Sequence, residues 1–290
     1  MATIDPNLRI RALELAVSDL ARSSQFYEHV LGLPLIARDE HTAQLGPDGE
    51  RPALLLRDIP APTPLPPAAA GLYHVAWLHP TRAALAETVR RIAAARWVLE
   101  GASDHGVSEA LYLSDPDGLG IEIYADRPRE QWQRRADGEG VVMVTQPLDL
   151  DDLLGQFSGA PAPTLPAQTT VGHVHLKVAD VPRALAFYRG ALGFQEQAEL
   201  PSAAFVSAGG YHHHVGLNSW QSAGAALPPD SAPGLRRVEF ELGATDALDT
   251  LERDLADAPS APAFTREDAG SLSLRDPDGE LLVFTAAREA

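Results

Sequence analysis

Two stretches of this chain repeat each other at a constant offset, and that duplication leaves few folds open. Leu13-Glu14-Leu15-Ala16-Val17-Ser18-Asp19 aligns with Val174-His175-Leu176-Lys177-Val178-Ala179-Asp180, Phe26-Tyr27 with Phe187-Tyr188, and Asp115-Pro116-Asp117-Gly118 with Asp276-Pro277-Asp278-Gly279. A chain built this way uses one folding unit more than once, and its core has to be shared between copies. The copies differ where the chemistry matters most: Ala12 stands against His173 and Glu122 against Val283 at that offset, and His74 against Arg237 two residues beyond it.

Each copy opens with a strand pattern followed by a helix pattern. In the second copy His173, His175, Lys177 and Ala179 fall on one strand face, with Val174, Leu176 and Val178 on the other. Asp180-Val181-Pro182 then starts a helix, Asp as N-cap and Pro in the first turn, and Ala184, Phe187, Tyr188 and Leu192 form its apolar stripe up to Gly193. The first copy does the same from Asp19 through Phe26 and Leu31 to Gly32. Further strands are expected at 42–45, 53–56, 72–77, 110–113 and 120–124, with a second helix over 81–95, so each copy holds two β-α-β-β-β units. The expected division is 1–126 for the first pair of units, 127–167 for a linker with one short helix, and 168–290 for the second pair. The two Asp-Pro-Asp-Gly segments read as turn chemistry rather than catalysis, Pro fixing φ and Gly accepting positive φ.

Composition narrows the chemistry. The 290 residues include no cysteine, which removes disulfides, thiolate metal sites and cysteine nucleophiles. Any metal must be held by His, Asp or Glu. A net charge of −17 argues against nucleic-acid binding, since a polyanion would be repelled. No apolar run is long enough to cross a bilayer and no secretory leader pattern opens the chain, so a cytoplasmic protein without a membrane partner is expected.

The strand-Asp-helix-Phe-Tyr-Leu-Gly openings resemble the vicinal oxygen chelate superfamily, which includes glyoxalases, fosfomycin-resistance proteins and extradiol dioxygenases. More specific are Asp104-His105-Gly106-Val107-Ser108-Glu109-Ala110-Leu111-Tyr112-Leu113 through Gly120-Ile121-Glu122-Ile123-Tyr124, together with Gly172-His173-Val174-His175-Leu176 and Gly210-Tyr211-His212-His213-His214-Val215-Gly216-Leu217-Asn218. That combination is similar to the bacterial two-domain catechol 2,3-dioxygenase group. The resemblance covers about residues 8–126 and 168–288. It implies an α+β fold of four βαβββ units paired into two open barrel-like sheets with the helices outside.

The resemblance also implies a metal site made from first-strand histidines of two paired units and a last-strand Glu. Matched residue by residue, these are His74, Glu122 and His173. Pairing units one with two and three with four would leave Ala12 in one site and Arg237 with Val283 in the other. Unit two is therefore expected to pair with unit three, and unit one with unit four. Two imidazoles and one carboxylate leave cis positions open, as suits Fe(II), with Mn(II) accepting the same set.

His214 matches the acid–base His of that group, with His212 on the same expected strand face as its rival and His213 expected to point away. Tyr112 matches the tyrosine that bonds a chelated substrate oxygen, and a core tyrosine is the plain reading of the same residue. His105 either donates to substrate or caps its loop; His175 either lines the pocket or orients a ligand. Trp77, Phe205, Trp220 and Tyr124 are candidate walls for an aromatic ring, and Arg237 is expected to be a structural or ion-pairing residue at a vestigial site. The implied reaction is extradiol opening of a small aromatic diol, catechol or a substituted catechol, with O₂, in a chain free to form a homo-oligomer. The rivals are a glyoxalase-type isomerase on the same scaffold and a metal-free protein that binds or sequesters an aromatic ligand.

Overall fold

The computed structural model describes residues 3–136, 138, 140–243, 246–258, 262–267 and 270–287. The first unit contains β1 (Arg9–Val17), α1 (Leu20–Gln25), β2 (Leu35–Arg38), β3 (Thr42–Leu45) and β4 (Leu54–Asp58). The second contains β5 (Gly71–His79), α2 (Arg82–Ala94), β6 (Gly101–Asp104), β7 (Ser108–Ser114) and β8 (Gly120–Asp126). A connecting segment carries the short helix α3 (Leu150–Gly155). The third unit follows with β9 (Thr170–Lys177), α4 (Val181–Gly190), β10 (Gln195–Leu200), β11 (Ala203–Ser207) and β12 (Val215–Asn218). The fourth has β13 (Gly234–Leu242), α5 (Ala247–Asp257), β14 (Phe264–Glu267), β15 (Ser271–Arg275) and β16 (Leu281–Ala286).

The helix starts follow from their caps. Asp19 accepts the Arg22 amide at 2.9 Å, Asp180 the Arg183 amide at 2.7 Å, and Thr81 the Ala84 amide at 3.1 Å, each filling a donor that a helix N-terminus leaves unpaired. Gly32, at φ 88°, ends the first helical segment in a left-handed turn that a residue with Cβ rarely adopts.

The units pair as the complementary mismatches require. One eight-stranded sheet runs β14-β15-β16-β13-β1-β4-β3-β2, joining units one and four; the other runs β10-β11-β12-β9-β5-β8-β7-β6, joining units two and three. At the centre of each, two first strands meet antiparallel, β1 with β13 and β5 with β9.

The repeated Phe-Tyr and Asp-Pro-Asp-Gly motifs tie the two sheets together. Tyr27 donates to Asp115 Oδ2 at 3.2 Å, and Tyr188 donates to Asp276 Oδ2 at 3.2 Å, both buried. Each bond runs from a helix of one sheet's unit to a turn of the other's. The same aspartates accept backbone amides inside their turns, Asp115 from Asp117 and Leu119, and Asp276 from Asp278, Gly279 and Glu280. One contiguous apolar core, including Leu13, Leu15, Val75, Trp77, Val174, Leu176, Val238 and Phe240, lies on the outward side of the central strands.

The opposite faces of the two sheets have equivalent registers and different chemistry. Arg237 faces Glu14 across β1 and β13 just as His74 faces His175 across β5 and β9. Val283 faces Glu239 where Glu122 faces Ala76. In the first sheet those places hold ion pairs: Arg57 to Glu14 at 2.6 Å and Arg237 to Glu14 at 3.7 Å. Arg237 thus occupies the ion-pairing position expected for a vestigial site.

Candidate metal centre

The register across the second sheet builds the site. His173 on β9 lies opposite Ala76 on β5, Ala76 opposite Glu122 on β8, and Glu122 opposite Tyr112 on β7, a row of four side chains on one face. Ala76 is fully buried, and its methyl leaves room for the His173 ring and the Glu122 carboxylate to approach over it. His74 comes from the adjacent row, two residues back along β5, with His175 across from it and Gly120 beside it.

His74, Glu122 and His173 converge. Glu122 Oε2 lies 3.0 Å from His74 Nε2 and 3.2 Å from His173 Nε2, and all three ligand atoms fall within 4.8 Å of one another. Metal bonds of about 2.0–2.2 Å place cis ligand atoms about 3 Å apart, so the spacing fits a shared ion. His74 Nε2 is buried without a hydrogen-bond partner despite its nearness to the carboxylate. A bare nitrogen aimed at the same point as a carboxylate oxygen is what a cation would satisfy.

The protonation states agree. Burial pushes the Glu122 carboxyl up, but the closeness of His173 and His74 outweighs it and holds the group well below the usual carboxylate range. Burial, opposed by the attraction of Glu122, lowers His173 to about 4. A neutral imidazole beside an ionised carboxylate is the state a metal needs, since ligands bind deprotonated.

His74 and Glu122 line a cavity of about 300 Å³, with His173 buried beside them; its walls also include Tyr73, His105, Tyr112, Val144, His175, Phe205, His213 and Trp220. His105 and Tyr112 form a pair within it. His105 Nδ1 lies 2.7 Å from the Val144 carbonyl, to which it can only donate, so its Nε2 accepts from the Tyr112 hydroxyl at 2.7 Å. Burial, then the charge of Glu122, pushes the Tyr112 phenol up, keeping it a donor at neutral pH. His175 lines the cavity, with its ring 5.0 Å from that of His74 and its Nε2 unpartnered.

The histidine triplet is arranged otherwise than its sequence suggests. An alternating strand would put His212 and His214 inward and His213 outward, but β12 begins only at Val215. Gly209 and Gly210, at φ 59° and 67°, turn the chain just before the triplet, so strand alternation does not apply. His213 lines the cavity, its ring centroid 4.0 Å from that of His173. His214 faces elsewhere: its Nδ1 accepts the Ala208 amide at 3.1 Å, and its ring packs on Tyr211. His212 is fully buried behind His213 and bonds Asp126 at 2.9 Å.

The aromatic candidates divide as well. Phe205 and Trp220 line the cavity, Trp77 is buried in the core on the other face, and Tyr124 lies against His173 with ring centroids 5.0 Å apart. Three cavity residues come from the connecting segment, Met143, Val144 and Thr145, and Tyr73 joins them. Nothing in their spacing marks them; the bridge between Asp104 and Gln146 and the bonds between His105 and Val144 bring that segment over the site.

A family model described as the Glyoxalase/Bleomycin resistance protein/Dioxygenase superfamily matches residues 9–123 and 170–284. The chain belongs to this superfamily. It is 40% identical over 280 residues to a Bacillus subtilis (strain 168) protein named Catechol-2,3-dioxygenase, covering 96% of both chains. Among solved structures, glyoxalase I from Zea mays is similar with a TM-score of 0.55 at 16% identity, covering 97% of this chain and 92% of that one. The cppA protein of Streptococcus pneumoniae TIGR4 is similar with a TM-score of 0.55 at 10% identity, over 97% of this chain and 100% of the other. At those identities the two structures speak for the fold alone.

Proposed function

We propose that this chain is an extradiol ring-cleaving dioxygenase that opens catechol or a substituted catechol with O₂, at an Fe(II) ion held by His74, Glu122 and His173. The observation that carries the reading is the meeting of two imidazoles and one carboxylate beside a ring-lined cavity. The relative named Catechol-2,3-dioxygenase, at 40% identity over nearly the whole chain, supports the same reaction. Iron bound by this set would supply open cis positions at which a diol and O₂ meet, and Mn(II) accepts the same donors. In the overall reaction O₂ adds to the ring, the carbon–carbon bond beside the diol breaks, and both oxygen atoms stay in the product with no external reductant consumed.

The chain's own groups bind and move protons. His213, inside the cavity, takes the proton that a diol hydroxyl gives up on binding, the part the sequence pattern assigned to His214 or His212. Tyr112, oriented by His105, offers its hydroxyl to a substrate oxygen. Tyr73, Phe205 and Trp220 enclose the ring. The described lining contains no Lys or Arg, so a ring carrying a carboxylate would lose its water with no cation to pair with, and uncharged substituents are favoured.

A glyoxalase-type isomerase would be favoured by a fourth protein ligand, and among the described residues the cluster has three members. The test is anaerobic purification with iron quantitation, O₂ uptake, and a catechol assay at the absorbance of the yellow semialdehyde. Iron-dependent O₂ uptake with semialdehyde formation is expected. A metal-free protein that binds aromatic diols tightly without consuming O₂ would overturn the proposal.

A further inference from the structure

A chain of hydrogen bonds leads away from the cavity behind His213. Its Nδ1 lies 2.8 Å from Nδ1 of His212, and Nε2 of His212 lies 2.9 Å from Oδ1 of Asp126 at the end of β8. His212 is completely buried, while the Asp126 side chain keeps 24% of its surface exposed. Tyr211 packs on the His212 ring at 4.1 Å and donates to Asp126 at 3.3 Å, and Trp132 covers the ring at 5.3 Å. These contacts hold the His212 ring in place between two fixed partners.

The donors can be assigned by elimination. An ionised carboxylate only accepts, so Nε2 of His212 carries the proton that bonds Asp126. With His212 neutral, the proton on Nε2 leaves Nδ1 bare, and that lone pair takes the Nδ1–H of His213. His213 is then bare at Nε2, on the one member of the chain that lines the cavity.

We propose that Asp126, acting through His212, is a positioning residue that fixes the tautomer of His213 and so presents the cavity with a proton acceptor. In the step it serves, a diol O–H bond breaks, the electron pair stays on oxygen, and the proton goes to Nε2 of His213. The identity of that diol rests on the ring-cleavage reading; the tautomer is a property of the chain itself. A carboxylate that orients an imidazole in this way is a general device, and removing such a partner costs about 10–100-fold in activity at metal sites.

Two measurements test it together. Long-range ¹H–¹⁵N correlation spectra of metal-free protein labelled with ¹⁵N-histidine, with His213 assigned by its loss in His213→Gln, are expected to show His213 protonated at Nδ1. Asp126→Leu abolishes that single-tautomer signature. Asp126→Asn, whose amide oxygen still accepts from His212, and Tyr211→Phe, which removes the second bond to Asp126 and the bond to the Tyr124 hydroxyl but leaves the His212–Asp126 contact, retain it. On the iron-loaded enzyme, Asp126→Leu lowers kcat about 10–100-fold with KM for catechol changed less than about twofold, and Asp126→Asn recovers most of the loss. A wild-type His213 protonated at Nε2, or an Asp126→Leu protein with the His213 signature intact, would overturn the proposal. A wild type that shows the Nδ1–H signature yet opens no catechol sinks the ring-cleavage reading and leaves the positioning chain standing.

Discussion

Replacing His213 and His214 one at a time by Phe separates two residues that are neighbours in sequence and opposed in structure. Phe keeps the ring volume in both places, so packing loss is matched and chemistry is not. His213→Phe removes the nitrogen lone pair from the cavity and leaves Nδ1 of His212 without its donor. Loss of a positioned acid–base group lowers kcat by about 10²–10⁴, or about 3–5 kcal/mol of barrier. His214→Phe removes only the acceptor of the Ala208 amide, outside the cavity. A buried amide left unpaired costs about 1–3 kcal/mol of stability, with kcat for catechol within about twofold of wild type. The assay is semialdehyde formation normalised to bound iron, with urea unfolding run beside it so that stability and turnover are read separately. A His214→Phe enzyme slowed a hundredfold, with His213→Phe near wild type, would refute the assignment of the cavity base.

Two further perturbations probe the scaffold. Glu280 is buried, and desolvation, with the charge of Asp276 adding to it, pushes its carboxyl up to about 8. An unfolded Glu titrates near 4.3, so between about pH 4.5 and 8 the native chain holds a proton that the unfolded chain has lost, and stability falls as pH rises, by at most about 5 kcal/mol. Glu280→Gln removes that slope; urea unfolding should find the variant gaining on wild type by several kcal/mol from pH 5 to pH 8, and a gap independent of pH would contradict the burial argument. Gly172→Ala would set a Cβ 1.7 Å from the Tyr124 hydroxyl and 3.0 Å from Leu78 Cβ, beside His173. Overpacking of this kind costs about 1–3 kcal/mol, and adding Tyr124→Phe should recover part of the loss in thermal unfolding; purely additive effects would show that the contact is not the cause.

The fold was legible because its signals are local and repeated. Asp19 and Asp180 cap helices as their sequence positions indicate, and the mismatches at Ala12, Arg237 and Val283 pointed to the pairing of unit two with unit three. His74, Glu122 and His173 could be matched to a motif because each sits on a strand whose register follows from its alternation. The triplet at His212–His214 failed that rule because two left-handed glycines break the strand before it, and the side-chain period of two holds only inside a strand. Val144, whose carbonyl orients His105, was invisible for another reason: it acts through its backbone and reaches the site by a long-range bridge. Asp126 lies just past the strand expected at 120–124, and its partner His212 lies 86 residues away.

The most direct test of a single site built across the duplication is the iron content of anaerobically prepared protein, measured for wild type and for His74→Ala, Glu122→Ala, His173→Ala and Arg237→Ala. One equivalent of Fe(II) per chain is expected in wild type and Arg237→Ala, with loss in each of the other three, because the ligands come from units two and three and the equivalent face of the other sheet is filled by ion pairs. Iron retained after removal of Glu122 or His173, or lost on removal of Arg237, would contradict it.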